Sequence, residues 1–506
     1  MPRFFTRQRE MLTVRQNRAG VQKLFRLSGR FSLLIALGFS SAFAQQSFKD
    51  FKKSQTDSFK EYKDERDREF GNYLKQEWKA YALEEMKPLY DKQKPVTIEP
   101  AKPTQIKPVG PKINIEIEEK KELKEDLPPP QKEPAESLPA QKVQKDITFD
   151  FYGKNLEFDI SDGVKRATFY PANQTGIANF FESVASSDYE DLVLDIKRVS
   201  SSMNLNDWGL YLLVSKISGS IYENRDNAKL LSWFLLNKLG YGVKIGLDDR
   251  HVVLMHYSTK TIYAAPSFNF DSKKYYVFLD NSKESIGRVF SYKQDYPGAT
   301  KPLDLSLDEL PILGEDFEDK LLSFEHFNNR YEIAISYNKN LIEFMSTYPQ
   351  ADYETFFNAP LDKRTYTELA ISIKKYIDGK KASEAMNFVL TFVQKSFKYE
   401  QDNQQFGKEK VMFAQETLFY DRSDCEDRAV LFSYLIRELF GVSTLGVKYE
   451  DHMATALYIP LEGEKIRAGS KEYVIADPTY INSTIGTGMP KYRSIKPQSY
   501  IVVKSN

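Results

Sequence analysis

Residues 423–429 read Ser-Asp-Cys-Glu-Asp-Arg-Ala and lead into an apolar run that ends at residue 440. The spacing from Ser423 to Glu426 is the capping-box pattern that opens many helices, and Gly441 is a typical residue just past a helix end. The stretch therefore predicts a buried helix with Ser423 as its N-cap and Cys425 in its first turn.

Cys425 is the single cysteine of the 506-residue chain. It cannot form an intramolecular disulfide, and a thiolate-rich metal site is disfavoured, so the thiol either fills core volume or reacts. The start of a helix favours a thiolate, whereas the acidic neighbours Asp424, Glu426 and Asp427 oppose it. A nucleophilic role therefore requires an adjacent imidazole that takes the proton.

His452 and Asp477 are the candidate partners of this thiol. His452 lies where a turn enters a predicted strand, and Asp477 ends the next predicted strand, before Pro478. Neighbouring antiparallel strands would place the two side by side, which gives the nucleophile, base and orienter of a thiol acyl-transfer enzyme. Taken singly, each residue also has a structural interpretation: a small core residue, a structural histidine and a cap before proline.

Three segments carry a resemblance to a known family: residues 423–429, His-Met-Ala-Thr-Ala at 452–456 and Ala-Asp-Pro-Thr-Tyr at 476–480. Together they resemble the motifs of the transglutaminase-like superfamily, over about residues 380–485. The resemblance implies an α+β, papain-like fold in which a helix is followed by an antiparallel sheet. It also implies Cys425 as nucleophile, His452 as base and Asp477 as orienter, with neither cofactor nor metal.

Two features of the candidate site stay open. Met453 and Ala454 follow the histidine, where many members of the superfamily carry an aromatic residue close by. The oxyanion donor is unassigned between the backbone N–H of Cys425 and a glutamine side chain, the candidates being Gln394, Gln405 and Gln415.

An upstream segment repeats the pattern without its nucleophile. Residues 223–228 align with 424–429, and the same offset places His251 on His452 and Asn224 on Cys425. With a shortened loop, Ala265 stands at the position of Asp477. We interpret residues 147–305 as a degenerate transglutaminase-like domain and residues 351–506 as the domain with the triad, joined by bridging strands over 306–350. The alternative is a chance alignment of two unrelated mixed domains.

The N-terminal region has three predicted parts. Residues 1–44 have the basic, apolar and Ala-x-Ala segments of a signal peptide cleaved after Ala44, which predicts a periplasmic or secreted protein; an uncleaved anchor is the alternative. Residues 45–92 carry aromatic residues at an eleven-residue spacing, which predicts an amphipathic helix that packs on its own domains, self-associates or binds an envelope partner. Residues 93–146 are rich in proline and charge and predict an extended or disordered linker.

The composition narrows the function. Basic and acidic residues number 71 each, so no basic excess points to nucleic acid, and no second segment is apolar enough to span a membrane. We expect an exported thiol enzyme that acts on protein or peptide amides through a Cys425 thioester, either as a hydrolase or as an acyltransferase. The alternative is a non-catalytic envelope binding or scaffold protein built from the same folds.

Overall fold

The computed structural model describes residues 63–115, 145–279 and 286–504. The predicted signal peptide, the first part of the aromatic repeat and residues 116–144 of the predicted linker lie outside these ranges. From Asp64 onward the chain gathers into one compact unit. No helix within the described ranges combines the length and the apolar composition needed to cross a bilayer.

Within the described ranges, the first half holds six helices and eight strands. In chain order they are α1 (residues 63–74), β1 (Lys79–Tyr81), β2 (Ile147–Phe151), β3 (Lys154–Phe158), α2 (Asp162–Arg166), α3 (Gln174–Ala185), α4 (Glu190–Ser202), α5 (Asp207–Ile221), α6 (Arg225–Lys238), β4 (Val243–Asp248), β5 (His251–Tyr257), β6 (Ser267–Phe270), β7 (Lys273–Tyr276) and β8 (Val289–Ser291).

The remaining elements form the middle segment and the second half. They are β9 (Phe317–His326), β10 (Asn329–Asn338), α7 (Lys339–Ser346), α8 (Tyr353–Asn358), α9 (Lys363–Ile377), α10 (Ala382–Ser396), β11 (Lys398–Tyr399), α11 (Asp402–Gln405), α12 (Ala414–Phe419), β12 (Arg422–Ser423), α13 (Cys425–Phe440), β13 (Thr444–Lys448), β14 (Met453–Leu457), β15 (Lys465–Ala468), β16 (Lys471–Ala476) and β17 (Ser499–Val502). The protein is thus a mixed α+β fold with several antiparallel sheets.

The two main sheets have the same strand order. The sheet of the second half runs β15-β16-β14-β13-β17, and that of the first half runs β6-β7-β5-β4-β8, with β1 added at its β8 edge. All neighbours pair antiparallel. In each half the helix just before the sheet, α6 or α13, packs on its first two strands. This shared order of helix and five strands supports the internal repeat that the sequence predicts.

The strand order corrects one position of the alignment. Asp477 directly follows β16, whose counterpart in the first half is β7. The residue that follows β7 is Val277, whereas Ala265 lies in the loop between β5 and β6. The assignment of Ala265 to the aspartate position is therefore wrong, because strands β6 and β7 both lie between Ala265 and the position that matches Asp477.

The predicted N-terminal helix ends earlier than expected. Helix α1 ends at residue 74, where the Trp78 indole N–H donates to the Leu74 carbonyl across 2.9 Å. The chain then adds β1 to the sheet edge, so the predicted helix over 45–92 is wrong beyond residue 74. Within α1, Phe70 is buried against Phe181 and Tyr296, with ring centroids 5.3 and 5.2 Å away. This part of the aromatic repeat packs on its own core.

The middle segment binds to both halves. Strands β9 and β10 form the predicted hairpin, with Phe327 and Asn328 at positive φ in its turn, but residues 339–346 are a helix rather than strand. Trp208 of α5 donates to Thr347 Oγ1 across 2.9 Å, and Ser372 of α9 donates to the carbonyl of Ala334 in β10 across 3.0 Å. The middle segment thus connects the two halves through side-chain hydrogen bonds to a helix of each.

Candidate active site

Helix α13 begins at Cys425 and places the thiol at the start of a buried helix. Asp424 is the N-cap, and its backbone N–H donates to Asp427 Oδ2 across 3.1 Å, which makes a capping box. The predicted cap at Ser423 is one residue too early, because the Ser423 hydroxyl instead accepts from Arg428 Nε at 3.0 Å. Gly441 ends the helix with φ of 62°, as its sequence position predicts.

The thiol is sealed from solvent and hydrogen-bonded to a carboxylate. Cys425 is 0% exposed, and its Sγ donates to Glu426 Oε2 across 3.1 Å. The Tyr90 hydroxyl lies 3.9 Å from Sγ and donates to the same Oε2 across 3.2 Å. Burial, followed by the charges of Glu426 and Asp424, raises the pKa of the Cys425 thiol well above its ordinary value. In this arrangement the cysteine is a protonated thiol.

His452 and Asp477 meet as the sequence predicts. Both are buried, and His452 Nε2 donates to Asp477 Oδ2 across 2.9 Å. Strand β14 follows His452 and pairs antiparallel with β16, which ends just before Asp477; Thr455 faces Ala476 in this pairing. Among the described residues, His452 Nδ1 is buried and has no hydrogen-bond partner. The ring nitrogen that does not face the carboxylate is therefore available to another group.

The aromatic side chain of Tyr492 stacks on His452, although the two residues are not close in sequence. The ring of Tyr492 lies parallel to that of His452, with centroids 4.8 Å apart. Burial and then the Asp451 carboxylate raise the pKa of Tyr492, and the charges of Cys425 and Asp477 add to the effect. Tyr492 thus covers one face of the imidazole and lies within electrostatic reach of the thiol and of Asp477. Its role could not be read from Met453 and Ala454, which only show that no aromatic residue follows the histidine directly.

A cluster of four carboxylates surrounds Lys94 beside the thiol. The side chain of Lys94 is 1% exposed, and its Nζ lies 2.7 Å from Glu426, 3.2 Å from Asp402 and 2.6 Å from Glu409. It also donates to Asp424. Carboxylate oxygens of the four residues lie within 4.8 Å of one another. Such crowding of like charges requires a cation or bound protons, and the ammonium group supplies the cation here.

The pKa directions in this cluster are consistent with that arrangement. Burial lowers the pKa of Lys94, but Asp424, Glu426 and Asp402 raise it well above its usual range, so the amine is charged. Burial raises the pKa of Glu426, yet Lys94 and the hydrogen bonds from Asp424 and Cys425 together outweigh this and hold it below its usual value. Burial and neighbouring carboxylates raise the pKa of Asp424 and of Asp402 well above the usual range. Glu426 is the ionised partner of Lys94, and the other two hold protons more readily.

Two of the three glutamines considered as oxyanion donors, Gln394 and Gln415, donate to other groups. Gln394 Nε2 donates to the carbonyls of Asp477 and Tyr480, across 3.0 and 2.9 Å, and thereby fixes the loop that carries the aspartate. Gln415 Nε2 donates to Thr365 Oγ1 across 3.1 Å. Gln405 is half-buried in α11, and its Oε1 has no partner in the described part of the chain. The structure thus assigns Gln394 to positioning Asp477, a role that the sequence around Gln394 does not reveal.

The matching place in the first half lacks these groups. Asn224 is the N-cap of α6 and accepts from the backbone N–H of Asn227 across 3.0 Å. The side chain of His251 is 85% exposed and lies 3.3 Å from Asp226. These residues border a cavity of about 630 Å³ on the surface of the first half. An amide cap and an exposed histidine cannot supply a thiol nucleophile, so covalent chemistry of this kind has its candidate site in the second half.

In comparisons with known proteins, no protein-family model, no curated protein and no solved structure matched this chain.

Proposed function

We propose that this protein is a thiol enzyme of transglutaminase-like type that acts on protein or peptide amides. The observation that carries the proposal is the buried His452–Asp477 pair, joined across 2.9 Å, whose Nδ1 has no partner among the described residues. Strand β14, which follows His452, packs on α13, the helix that Cys425 opens. A histidine oriented by a carboxylate on one nitrogen and free on the other is the base that such a nucleophile requires.

The proposed reaction has two steps. In the first, the Cys425 proton passes to His452 Nδ1, sulfur forms a bond to the amide carbon, and the C–N bond breaks as the imidazolium returns the proton to the leaving amine. In the second, His452 takes a proton from water or another amine, whose oxygen or nitrogen forms a bond to the thioester carbon; the C–S bond breaks, and the imidazolium returns the proton to sulfur. Asp477 holds the imidazole in the required tautomer and stabilises its charged form throughout. Export to the periplasm or the medium stays a prediction from the N-terminal sequence.

The internal repeat extends the proposal. The shared strand order supports two transglutaminase-like halves, of which the first, with Asn224 and the exposed His251, has no nucleophile. We assign the first half a role in binding or support and the second half the chemistry.

A second candidate function, a non-catalytic binding or scaffold protein, is favoured by one observation. The thiol is fully covered and its pKa is raised, so the arrangement described here is not ready to react.

The two candidates differ in what a thioester trap would detect. We expect hydroxylamine added with a mixture of glutamine-containing peptides to yield peptide hydroxamates with the native protein and none with Cys425→Ser. Equal hydroxamate from both proteins would overturn the enzymatic proposal. So would the absence of hydroxamate from a protein whose Cys425 is accessible to iodoacetamide.

A further inference from the structure

A segment of the chain far from the site in sequence covers the thiol. Residues 89–95, which we name the strap, run without regular secondary structure across the start of α13. Its main chain is hydrogen-bonded on both sides. The Lys92 N–H donates to the Glu450 carbonyl across 3.4 Å, next to the turn that carries His452. On the other side, the Pro95 carbonyl accepts from Tyr399 Oη across 2.7 Å, and the Lys94 carbonyl accepts from Gln401 Nε2.

The strap therefore occupies a cleft as an extended polypeptide. One wall carries Glu450, and the other wall carries Tyr399 and Gln401. Bonds to main-chain groups do not depend on the side chains of the bound segment, so the same walls would hold another extended chain. Residue 93 onward was predicted as linker, and proline-rich composition gives no sign of such contacts.

Two side chains of the strap make it specific. Tyr90 lies over the thiol, with its hydroxyl 3.9 Å from Sγ. Lys94 enters the pocket formed by Asp402, Glu409, Asp424 and Glu426. A buried ammonium is costly unless it is paired, and four crowded carboxylates are costly without a cation, so each side of this contact stabilises the other. The pocket selects a long basic side chain on an extended backbone.

We propose that the strap is an intramolecular occupant of the substrate cleft, and that the four-carboxylate pocket is the subsite for a lysine or arginine side chain of an extended polypeptide substrate. This inference rests on the proposed function. It implies that Cys425 becomes accessible only when residues 89–95 leave the cleft, and that a substrate with a basic residue takes their place.

The test measures how fast iodoacetamide labels Cys425 in the full chain. Lys94→Ala removes the anchor of the strap, and we expect it to raise the labelling rate at pH 8 at least tenfold. Lys92→Ala is the matched control, because the side chain of Lys92 is 65% exposed and pairs with Glu450 at the surface; it should leave the rate unchanged. A free peptide of residues 87–97 should then slow labelling of Lys94→Ala severalfold, whereas the same peptide with alanine for Lys94 should not.

Several outcomes would overturn the inference. One is a folded Lys94→Ala protein whose Cys425 is labelled no faster than in the native protein. Another is equal slowing of labelling by the two peptides. If Lys94→Ala does not melt cooperatively, Tyr90→Ala replaces it, since that change keeps every charge of the cluster; no rise in its labelling rate would also refute the strap. Labelling needs access and not turnover, so the strap can be confirmed even if hydroxamate formation and dependence on His452 both fail.

Discussion

Cys425 and its chain neighbour Glu426 are hydrogen-bonded through their side chains, with Sγ 3.1 Å from Oε2. The other oxygen of the same carboxylate accepts from Lys94 across 2.7 Å. The thiol proton thus points toward the Lys94–Glu426 ion pair and not toward His452. Catalysis requires the sulfur to turn from this partner to the free Nδ1 of His452, and withdrawal of the strap removes the ammonium that holds Glu426 in place.

Glu426→Gln should lower the pKa of the thiol. Glu426 is the largest charged contributor to the upward shift at Cys425, second to burial. Removing a like charge within hydrogen-bond distance is expected to lower the pKa. Because the chain has one cysteine, cysteine labelled with ¹³C gives a single side-chain signal whose shift reports the titration.

Glu450→Gln is the control for that substitution, since it removes an equal charge at the surface. We expect its thiol pKa to equal that of the native protein. A pKa that is unchanged or higher in Glu426→Gln would show that Glu426 does not oppose the thiolate.

Asp427 should make stability fall as pH rises. Burial and then the charge of Glu426 raise its pKa from 3.8 to about 7. Between about pH 4 and pH 7 the folded protein therefore holds a proton that the unfolded chain has released. The free energy of unfolding then decreases with pH in this window, by up to about 1.4 kcal/mol per pH unit for one proton.

Asp427→Asn removes this titration and keeps an oxygen that can accept from Met412 or Asp424. Urea unfolding at several pH values from 4.5 to 7.5 should give a shallower dependence for the variant, by close to one proton. Asp402 and Asp424 act in the same direction and remain in both proteins. Equal slopes for the two proteins would contradict the assignment.

Gln394→Met should destabilise the loop that holds Asp477. The amide nitrogen of Gln394 donates to the carbonyls of Asp477, Tyr480 and Ser483. A methionine of similar size leaves these buried acceptors without a donor, at a cost of about 3 kcal/mol in the free energy of unfolding. Urea denaturation measures this loss. The exposed Gln404→Met should change stability by less than about 0.5 kcal/mol, and a similar small effect at Gln394 would refute its positioning role.

The second half could be predicted well from sequence because its signals are local. The helix start, Gly441, and the strands next to His452 and Asp477 each follow from a few adjacent residues. The pairing of β14 with β16 then brings the histidine and the aspartate together, although the hairpin strand β15 lies between them in the chain.

Contacts between distant segments could not be predicted in this way. Tyr90 lies 335 residues before Cys425 in the sequence. Lys94 lies 330 residues before its partner Asp424. Their proline-rich surroundings indicate an extended chain but not what it covers. Similarly, α1 ends where Trp78 donates to the Leu74 carbonyl and the chain turns to pair β1 with β8. The eleven-residue spacing of aromatic residues predicts neither contact.

The central claim is that His452 activates Cys425, and the pH dependence of iodoacetamide labelling in the strap-released Lys94→Ala protein tests it most directly. We expect a labelling rate that is already half-maximal below about pH 8.5, the value for an ordinary thiol. Adding His452→Asn should move the midpoint to that value or above and slow labelling at pH 7 at least tenfold, whereas adding His251→Asn, at the exposed counterpart in the first half, should change nothing. Profiles for Lys94→Ala with and without His452→Asn that coincide would contradict the account.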